Sequence, residues 1–190
     1  TATAAMDKYD FYFLPIVNPD GYKYSYTDER MWRKNRSLNE GSSCRGVDLN
    51  RNFDFEHGTS GTSTLPCSDT YHGAGPASEP EVQAQQNEMH RIMDSGQKIF
   101  AGISMHTYGR YWLMSFGHAQ SNQCVVSPDY DVQYELCDKI AQATMASDNS
   151  NWAYGSICST LYPASGNTID YMYGDVGILY AYLPELRGSS

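Results

Sequence analysis

Long apolar runs are missing from this sequence. No stretch approaches the apolar length needed to cross a bilayer, and no secretory leader opens the chain. Charged residues are also few, at 18%, with 13 Lys and Arg against 22 Asp and Glu. The resulting formal net charge of −9 argues against a nucleic acid or an anionic membrane surface as a partner.

Cysteine spacing typical of a structural zinc site is absent as well. None of the five cysteines lies in a Cys-x-x-Cys pair. Cys44 and Cys67 bracket a stretch rich in Gly, Ser and Thr, which a disulfide would stabilise by about 3 kcal/mol. Cys137 lies in an amphipathic helical pattern and is interpreted as a buried free thiol. That leaves Cys124 and Cys158 for each other, and two disulfides indicate a secreted protein.

What the sequence does contain predicts one folded α/β domain. Hydrophobic residues make up 41% of the 190 residues, enough for a single core. Three apolar runs have the length of buried strands: residues 11–17, 99–105 and 178–183. Three segments have the pattern of helices: residues 80–96, 129–146 and 168–173. Strands that alternate with helices indicate a largely parallel sheet.

Several polar residues follow these strands, where open sheets of this type bind ligands. His106 and Glu185 come at the carboxyl ends of the second and third apolar runs. Each type of residue, taken alone, is more often structural or solvated. Together with Arg33, and with Asn50 and Arg51 as an anion clamp, they compose a hydrolytic site with a metal ligand, a base and an electrophile. A clamp for a carboxylate would place the scissile bond at a chain terminus.

Seven stretches in a fixed order carry a family resemblance. The chain resembles, along essentially its whole length, the zinc metallocarboxypeptidases of the pancreatic A/B type, and is A-like. The stretches are Asn18-Pro19-Asp20-Gly21-Tyr22, Met31-Trp32-Arg33-Lys34-Asn35-Arg36, Gly46-Val47-Asp48-Leu49-Asn50-Arg51-Asn52-Phe53, Tyr71-His72-Gly73, Ser104-Met105-His106-Thr107-Tyr108, Tyr162-Pro163-Ala164-Ser165-Gly166 and Pro184-Glu185-Leu186-Arg187.

The resemblance implies a catalytic role for three residues. His106 matches a zinc ligand, and Arg33 matches the arginine that polarises the scissile carbonyl and binds the oxyanion. Glu185 matches the general base that takes a proton from the metal-activated water. One Zn²⁺ is implied as the cofactor, and two further ligands are expected upstream of this chain.

The resemblance also implies how the substrate is bound. Asn50, Arg51 and Tyr162 match the groups that grip the substrate's terminal carboxylate, and Tyr162 comes from a mobile loop. Tyr108 is assigned to substrate binding. Ile169 matches the position that reads the last side chain of the substrate.

Ile169 offers no counter-charge to a basic side chain, and burying an unpaired cation is costly. Ile157, Leu161 and Ala164, in stretches that the family uses as pocket wall, are apolar too. Leu183 matches a pocket-floor position that is smaller in several A-type enzymes, which predicts a shorter pocket. We therefore expect C-terminal aliphatic or Phe-sized residues as substrates, with Trp disfavoured and Lys or Arg rejected. If Ile169 is merely a core residue, the specificity stays open.

On fold and partners, the resemblance implies a single domain with a mixed, mostly parallel eight-stranded sheet flanked by helices, of which this chain holds part. The Cys44–Cys67 disulfide is a family feature, and Cys124–Cys158 resembles a bridge of some members. Expected partners are the C-termini of peptides or proteins, with a propeptide or a protein inhibitor as further candidates. A secreted monomer of digestive or secretory-granule type is expected.

Three departures from the family pattern stand out. No His is followed by Glu three residues later, so the His-x-x-Glu pair that supplies two zinc ligands is expected upstream, and the isolated chain should have an incomplete zinc site. The family's last helix is also missing. Pro184 precedes Glu185 and supplies no ladder N–H, which predicts a bulge or altered pairing in that strand and a slight shift of Glu185.

Two other interpretations stay open at this point. One is a non-catalytic relative that binds peptide C-termini without hydrolysing them, which the missing zinc ligands leave possible. The other is an unrelated Tyr-rich carbohydrate-binding module, which the alternation of strands and helices disfavours.

Overall fold

A computed structural model describes residues 2–188 of the chain. Within that range the helices are α1 (Ala2–Met6), α2 (Pro19–Thr27), α3 (Pro80–Asp94), α4 (Tyr130–Asp148), α5 (Ile157–Thr160) and α6 (Thr168–Gly174), with a 3-10 turn at Leu49–Arg51. The strands are β1 (Ala101–Ile103), β2 (His106–Thr107), β3 (Tyr111–Met114), β4 (Ala119–Gln120), β5 (Gln123–Cys124), β6 (Ala153–Ser156) and β7 (Tyr180–Leu186).

The main sheet is mixed and is organised around β7. β1 and β2 pair with one side of β7 in parallel, one after the other. β3 pairs with the other side in antiparallel orientation and continues to β6 in parallel. β4 and β5 form a separate two-stranded hairpin. The α/β class and the mixed sheet flanked by helices agree with the sequence prediction, and five strands of this sheet lie within residues 2–188.

Successive residues of β7 face opposite sides of the sheet, and each side has its own core. Ala181 and Leu183 pack with Ile157 and Ile169, from α5 and α6. Tyr182 points the other way and packs with Met114 and with Cys137 of α4. Because both faces are covered, the strand reads in sequence as a continuous apolar run.

The three predicted helices are confirmed within a few residues. α3 begins with Pro80, whose missing N–H would have no partner in the first turn, and Glu81 follows at the positive end of the helix dipole. α4 ends at Asn149, which takes the left-handed conformation with φ 52°. α6 is capped by Asn167, whose side chain accepts a hydrogen bond from the Asp170 N–H.

The prediction of a buried strand at residues 11–17 is wrong. The segment is irregular, and Phe13 is 82% exposed. No strand among residues 2–188 pairs with it, so the run has neither a ladder nor a covering layer there. The turn-forming residues after this segment also begin a helix. Asn18 caps α2, and its side chain accepts a hydrogen bond from the Gly21 N–H.

The other two strand predictions are partly correct. In residues 99–105, regular strand is limited to β1, and Ile103 on that strand is 55% exposed, so the run is not buried. The third strand begins later than predicted and includes Glu185. The sequence reading missed β3 and β6, which are four residues each, shorter than a run that periodicity can identify.

At Pro184 the structure shows altered pairing and no bulge, so the second of the two predicted outcomes is the correct one. β1 and β2 keep one register against β7, with Ile103 opposite Tyr182 and His106 opposite Glu185. Pro184 lies opposite the interval between the two short strands. The missing proline N–H therefore falls where the ladder is interrupted, and Glu185 stays in register opposite His106.

Both predicted disulfides are formed, Cys44–Cys67 and Cys124–Cys158, with Cα–Cα distances of 5.1 and 5.6 Å. Cys137 is free and fully buried, and its thiol donates to the Trp112 carbonyl at 3.2 Å. Burial raises the pKa of the Cys137 thiol to about 12. No helix among the described residues has both the length and the apolar character to span a membrane.

These findings predict the thiol chemistry of the chain. In the native protein we expect no reaction with a thiol reagent at neutral pH, because Cys137 is buried and protonated. After unfolding without reduction, one thiol should react, and a Cys137→Ala variant should show none. Three reactive thiols in the unfolded, unreduced protein would mean that the Cys124–Cys158 bridge is absent.

Candidate active site

His106 and Glu185 meet at the carboxyl ends of the parallel strands. They lie opposite each other on β2 and β7, and the His106 Nδ1 atom is 4.0 Å from the Glu185 Oε1 atom. Their side chains are 24% and 19% exposed, so both are largely buried but remain accessible to solvent. The strand-end placement expected from the sequence therefore brings these two residues together.

The chemistry of His106 fits a metal ligand. Burial, followed by the charge of Arg33, lowers the pKa of His106 to about 4, so the imidazole is neutral at pH 7. The His106 Nε2 atom faces the Ser104 hydroxyl at 3.2 Å, and Nδ1 lies on the side of Glu185. A neutral imidazole with one nitrogen held by a protein group is the form that binds metals. Within residues 2–188, no three His, Cys, Asp or Glu side chains come together as a metal site.

Glu185 is suited to accept a proton. Burial raises the pKa of its carboxyl group, and the charge of Arg33 opposes that shift. A carboxylate whose pKa is raised in this way is a stronger base than one in water. Glu185, His106 and Arg33 line the same inner cavity.

Asp48 organises the cationic side of the site. Its Oδ2 atom accepts from the Arg33 Nε at 2.9 Å and lies 4.0 Å from the Arg51 Nη1. Its Oδ1 atom accepts from the Asn50 N–H at 3.2 Å, which caps the 3-10 turn. Burial by itself lowers the pKa of Arg33. The negative charge of Asp48 and its hydrogen bond have the opposite effect, and the resulting pKa of Arg33 is raised above its ordinary value. The sequence analysis did not assign a role to Asp48. An acidic residue between two apolar residues, Val47 and Leu49, could have indicated a buried carboxylate.

Arg51 is held rigidly and is 3% exposed. Its Nε donates to the Gly61 carbonyl at 3.1 Å, and its Nη1 donates to the Asn50 carbonyl at 2.8 Å. Because Asp48 is shared with Arg33, Arg51 has less than one full counter-charge. A buried, partly uncompensated guanidinium favours an incoming anion.

The Tyr162 loop is fixed at its base and open at its tip. The Ser165 hydroxyl accepts from the backbone N–H groups of Thr59 and Ser60, both at 3.1 Å. Gly166 has φ 65°, and a Cβ there would lie 2.4 Å from the Arg51 carbonyl oxygen, so only glycine fits. Tyr162 itself is 55% exposed, at the rim of the cavity. The base of the loop is therefore in contact with Arg51, while Tyr162 at its tip is open to solvent.

The site consists of an outer and an inner cavity that share Arg33, Arg51 and Tyr162. The outer cavity has a volume of about 460 Å³, and the inner one is narrow, about 40 Å³. The inner cavity has apolar walls on one side, formed by Leu113, Ile157, Leu161, Ala164 and Leu183.

Two of the predicted substrate-binding residues lie elsewhere. Ile169 is fully buried and packs behind the apolar wall, in one cluster with Leu113 and Leu183, and does not itself line the cavity. Tyr108 is 73% exposed and is not part of the cavity lining. Asp170, beside Ile169, is also fully buried, and its oxygens accept from the N–H groups of Gly117 and His118, so it offers no free charge to a ligand.

Comparison with known proteins identifies the family of the chain. The family model described as zinc carboxypeptidase (Peptidase_M14) matches residues 1–190. The chain is 40% identical over 188 residues to carboxypeptidase A2 of Rattus norvegicus, covering 99% of this chain and 43% of that protein. It is 41% identical over 186 residues to carboxypeptidase B of Bos taurus, covering 97% of this chain and 42% of that protein.

A solved structure shows the same fold. Bovine thrombin-activatable fibrinolysis inhibitor, in complex with tick carboxypeptidase inhibitor, superimposes with a TM-score of 0.84 at 37% identity, covering 94% of this chain and 58% of that one. The chain spans less than half the length of the two carboxypeptidases above. The match removes the carbohydrate-binding interpretation. The chain belongs to the zinc carboxypeptidase family.

Proposed function

We propose that residues 1–190 form most of the catalytic domain of a zinc carboxypeptidase that removes aliphatic or aromatic residues from peptide C-termini. The supporting observation is one cavity that holds two arginines sharing a single buried carboxylate, beside a neutral imidazole and a half-buried glutamate. The domain would be completed by a His-x-x-Glu pair and a last helix outside this sequence. No specific observation favours a non-catalytic relative.

Recognition of the substrate begins with its terminal carboxylate. Arg51 supplies a rigid guanidinium and Asn50 supplies an amide, both on the wall of the inner cavity. Tyr162, on the open tip of its loop, would close over the bound terminus. An internal segment of a peptide has no terminal main-chain carboxylate to offer this clamp, which would restrict cleavage to the last residue.

Hydrolysis would follow from residues at the strand ends. One Zn²⁺, held by His106 and by ligands outside this chain, would supply Lewis-acid activation of water and of the scissile carbonyl. Glu185 would take the proton from the attacking water and then deliver it to the leaving amine. Arg33 would stabilise the negative charge that develops on the carbonyl oxygen, and Asp48 holds it in place.

Specificity would follow from the apolar wall. Leu113, Ile157, Leu161 and Leu183 offer no counter-charge, so a basic side chain would be buried unpaired. Leu183, which matches a pocket-floor position that is smaller in several A-type enzymes, would shorten the pocket and so disfavour Trp. Ile169 would act from behind this wall by setting its position.

For partners and location, we propose peptide and protein C-termini as substrates of a secreted monomer, of digestive or secretory-granule type. The two disulfides support an oxidising compartment. A protein inhibitor as a partner is supported by the bovine relative, whose structure contains tick carboxypeptidase inhibitor. A propeptide is proposed on the family resemblance alone.

Substitution of the base tests the catalytic proposal. In the full-length protein, Glu185→Gln should abolish turnover of a C-terminal Phe peptide while the affinity for the released product, phenylalanine, stays within about threefold, because shape is retained and the base is lost. Arg33→Ala should lower kcat by about 10² to 10³ and change KM less.

Two residues outside the cavity serve as controls, the exposed Glu135→Gln on α4 and the partly buried Arg36→Ala beside Trp32, and both should leave kcat unchanged. A Glu185→Gln protein with normal turnover would refute the base assignment. An Arg33→Ala protein altered in KM alone would refute the oxyanion role. Absence of turnover in the wild type, with C-terminal binding intact, would support the non-catalytic alternative.

A second test concerns the last side chain of the substrate. Peptides that differ only in that residue should be cleaved with kcat/KM highest for Leu and Phe, lower for Trp, and at least about 100-fold lower for Lys and Arg, because of the unpaired buried charge. Leu183→Ala enlarges the cavity and should raise the Trp-to-Phe ratio of kcat/KM. A preference for C-terminal Arg over Leu would overturn the specificity proposal.

A further inference from the structure

The first turn of α6 contacts the carboxylate clamp directly. Thr168, which is 7% exposed, donates twice to the Asn50 Oδ1 atom, from its backbone N–H and from its hydroxyl, both at 2.9 Å. The turn is itself fixed by Asn167, which donates to the Ala164 carbonyl at 2.7 Å and accepts from the Asp170 N–H at 2.9 Å. Asn50 is thus held by an element 118 residues away in the chain.

These contacts determine which way the Asn50 amide faces. A backbone N–H can only donate, so the amide atom opposite Thr168 must be the oxygen. The hydroxyl of Thr168 adds a second donor to the same oxygen. The Asn50 Nδ2 atom is left without a hydrogen-bond partner among residues 2–188, and Asn50 lines the inner cavity beside Arg51. The amide therefore presents its donor to a ligand.

The orientation matters because a carboxylate only accepts hydrogen bonds. An Asn50 amide turned over by half a rotation would present its oxygen to that carboxylate, and the two would repel. The turned amide would instead suit a C-terminal carboxamide, whose NH₂ group donates. A group that fixes the amide orientation consequently selects acid termini over amide termini.

We propose that Thr168 is a positioning residue that locks Asn50 as a donor and so lets the site distinguish a free C-terminal carboxylate from a carboxamide. The role deepens the proposed function and rests on its carboxylate clamp. Thr168 also precedes Ile169, which packs behind the apolar wall. One helical turn therefore connects the part that reads the terminal carboxylate with the part that reads the last side chain.

The test compares binding of two ligands to the full-length protein by calorimetry, N-acetyl-phenylalanine and its carboxamide. The wild type should prefer the acid. Thr168→Val removes the hydroxyl and keeps the shape, and should weaken acid binding roughly three- to tenfold with little change for the amide, since one orienting hydrogen bond is lost. Thr168→Ser keeps the hydroxyl and should behave as the wild type. Thr168→Ala provides the same comparison if the Val variant does not fold.

The control is Thr144→Val, which also removes a partly buried hydroxyl, one that bonds to Ile140 and Trp112 on α4 and β3. It should leave the acid-to-amide ratio unchanged. An unchanged ratio in Thr168→Val, or an equal loss for both ligands, would overturn the proposal. So would a wild type without a preference for the acid.

Peptide hydrolysis separates this proposal from the broader one. If the wild type hydrolyses a C-terminal Phe peptide while Thr168→Val keeps the wild-type acid-to-amide ratio, the carboxypeptidase function stands and the role of Thr168 falls. If the wild type does not hydrolyse the peptide but its preference for the acid depends on Thr168, the catalytic proposal falls and the role of Thr168 stands.

Discussion

A single buried carboxylate, Asp48, is the contact on which the whole cationic side of the site depends. It hydrogen bonds Arg33, lies within 4.0 Å of Arg51 and caps the turn that carries Asn50. Removal of Asp48 would leave the buried Arg51 guanidinium without a counter-charge, whereas solvent would screen the partly exposed Arg33. The residue that would bind the oxyanion and the residue that would bind the substrate carboxylate are thus set by one side chain.

Around this carboxylate, loops rather than strands fix the geometry. The Cys44–Cys67 disulfide lies at the base of the Gly-rich segment, whose Gly61 carbonyl accepts from Arg51. A Cβ at Gly61 would lie 1.5 Å from the Pro163 carbonyl oxygen, so this segment and the Tyr162 loop pack backbone to backbone. Such contact fixes the base of the loop, while Tyr162 lies exposed at the rim of the cavity. Donors held by hydrogen bonds beside one exposed side chain are consistent with the proposed site, which would admit a chain end and then enclose it.

The sequence predicted those parts of the site that depend on local pattern. His106 and Glu185 could be placed together because each follows an apolar run, and parallel strands end at one edge of a sheet. The run at residues 11–17 misled the same reasoning, since hydrophobicity reports a tendency to be covered and not what covers it. Contacts between distant segments could not be predicted from local sequence. Asp48 has the sequence context of an ordinary acidic loop residue. Asn50 and Thr168 are hydrogen-bonded in the structure, but no sequence pattern connects them. Ile169 was placed in the pocket but lies behind its wall.

The most direct test of the account is Asp48→Asn in the full-length protein, assayed with a C-terminal Phe peptide. Asn keeps the size of Asp48 but removes the charge that both arginines share. The account predicts a lower kcat, through Arg33, and a higher KM, through Arg51, each by roughly tenfold or more. The measured kcat and KM should therefore move together in opposite directions. A variant whose kcat and KM both stay within about twofold of the wild type would contradict the claim that Asp48 positions the two arginines.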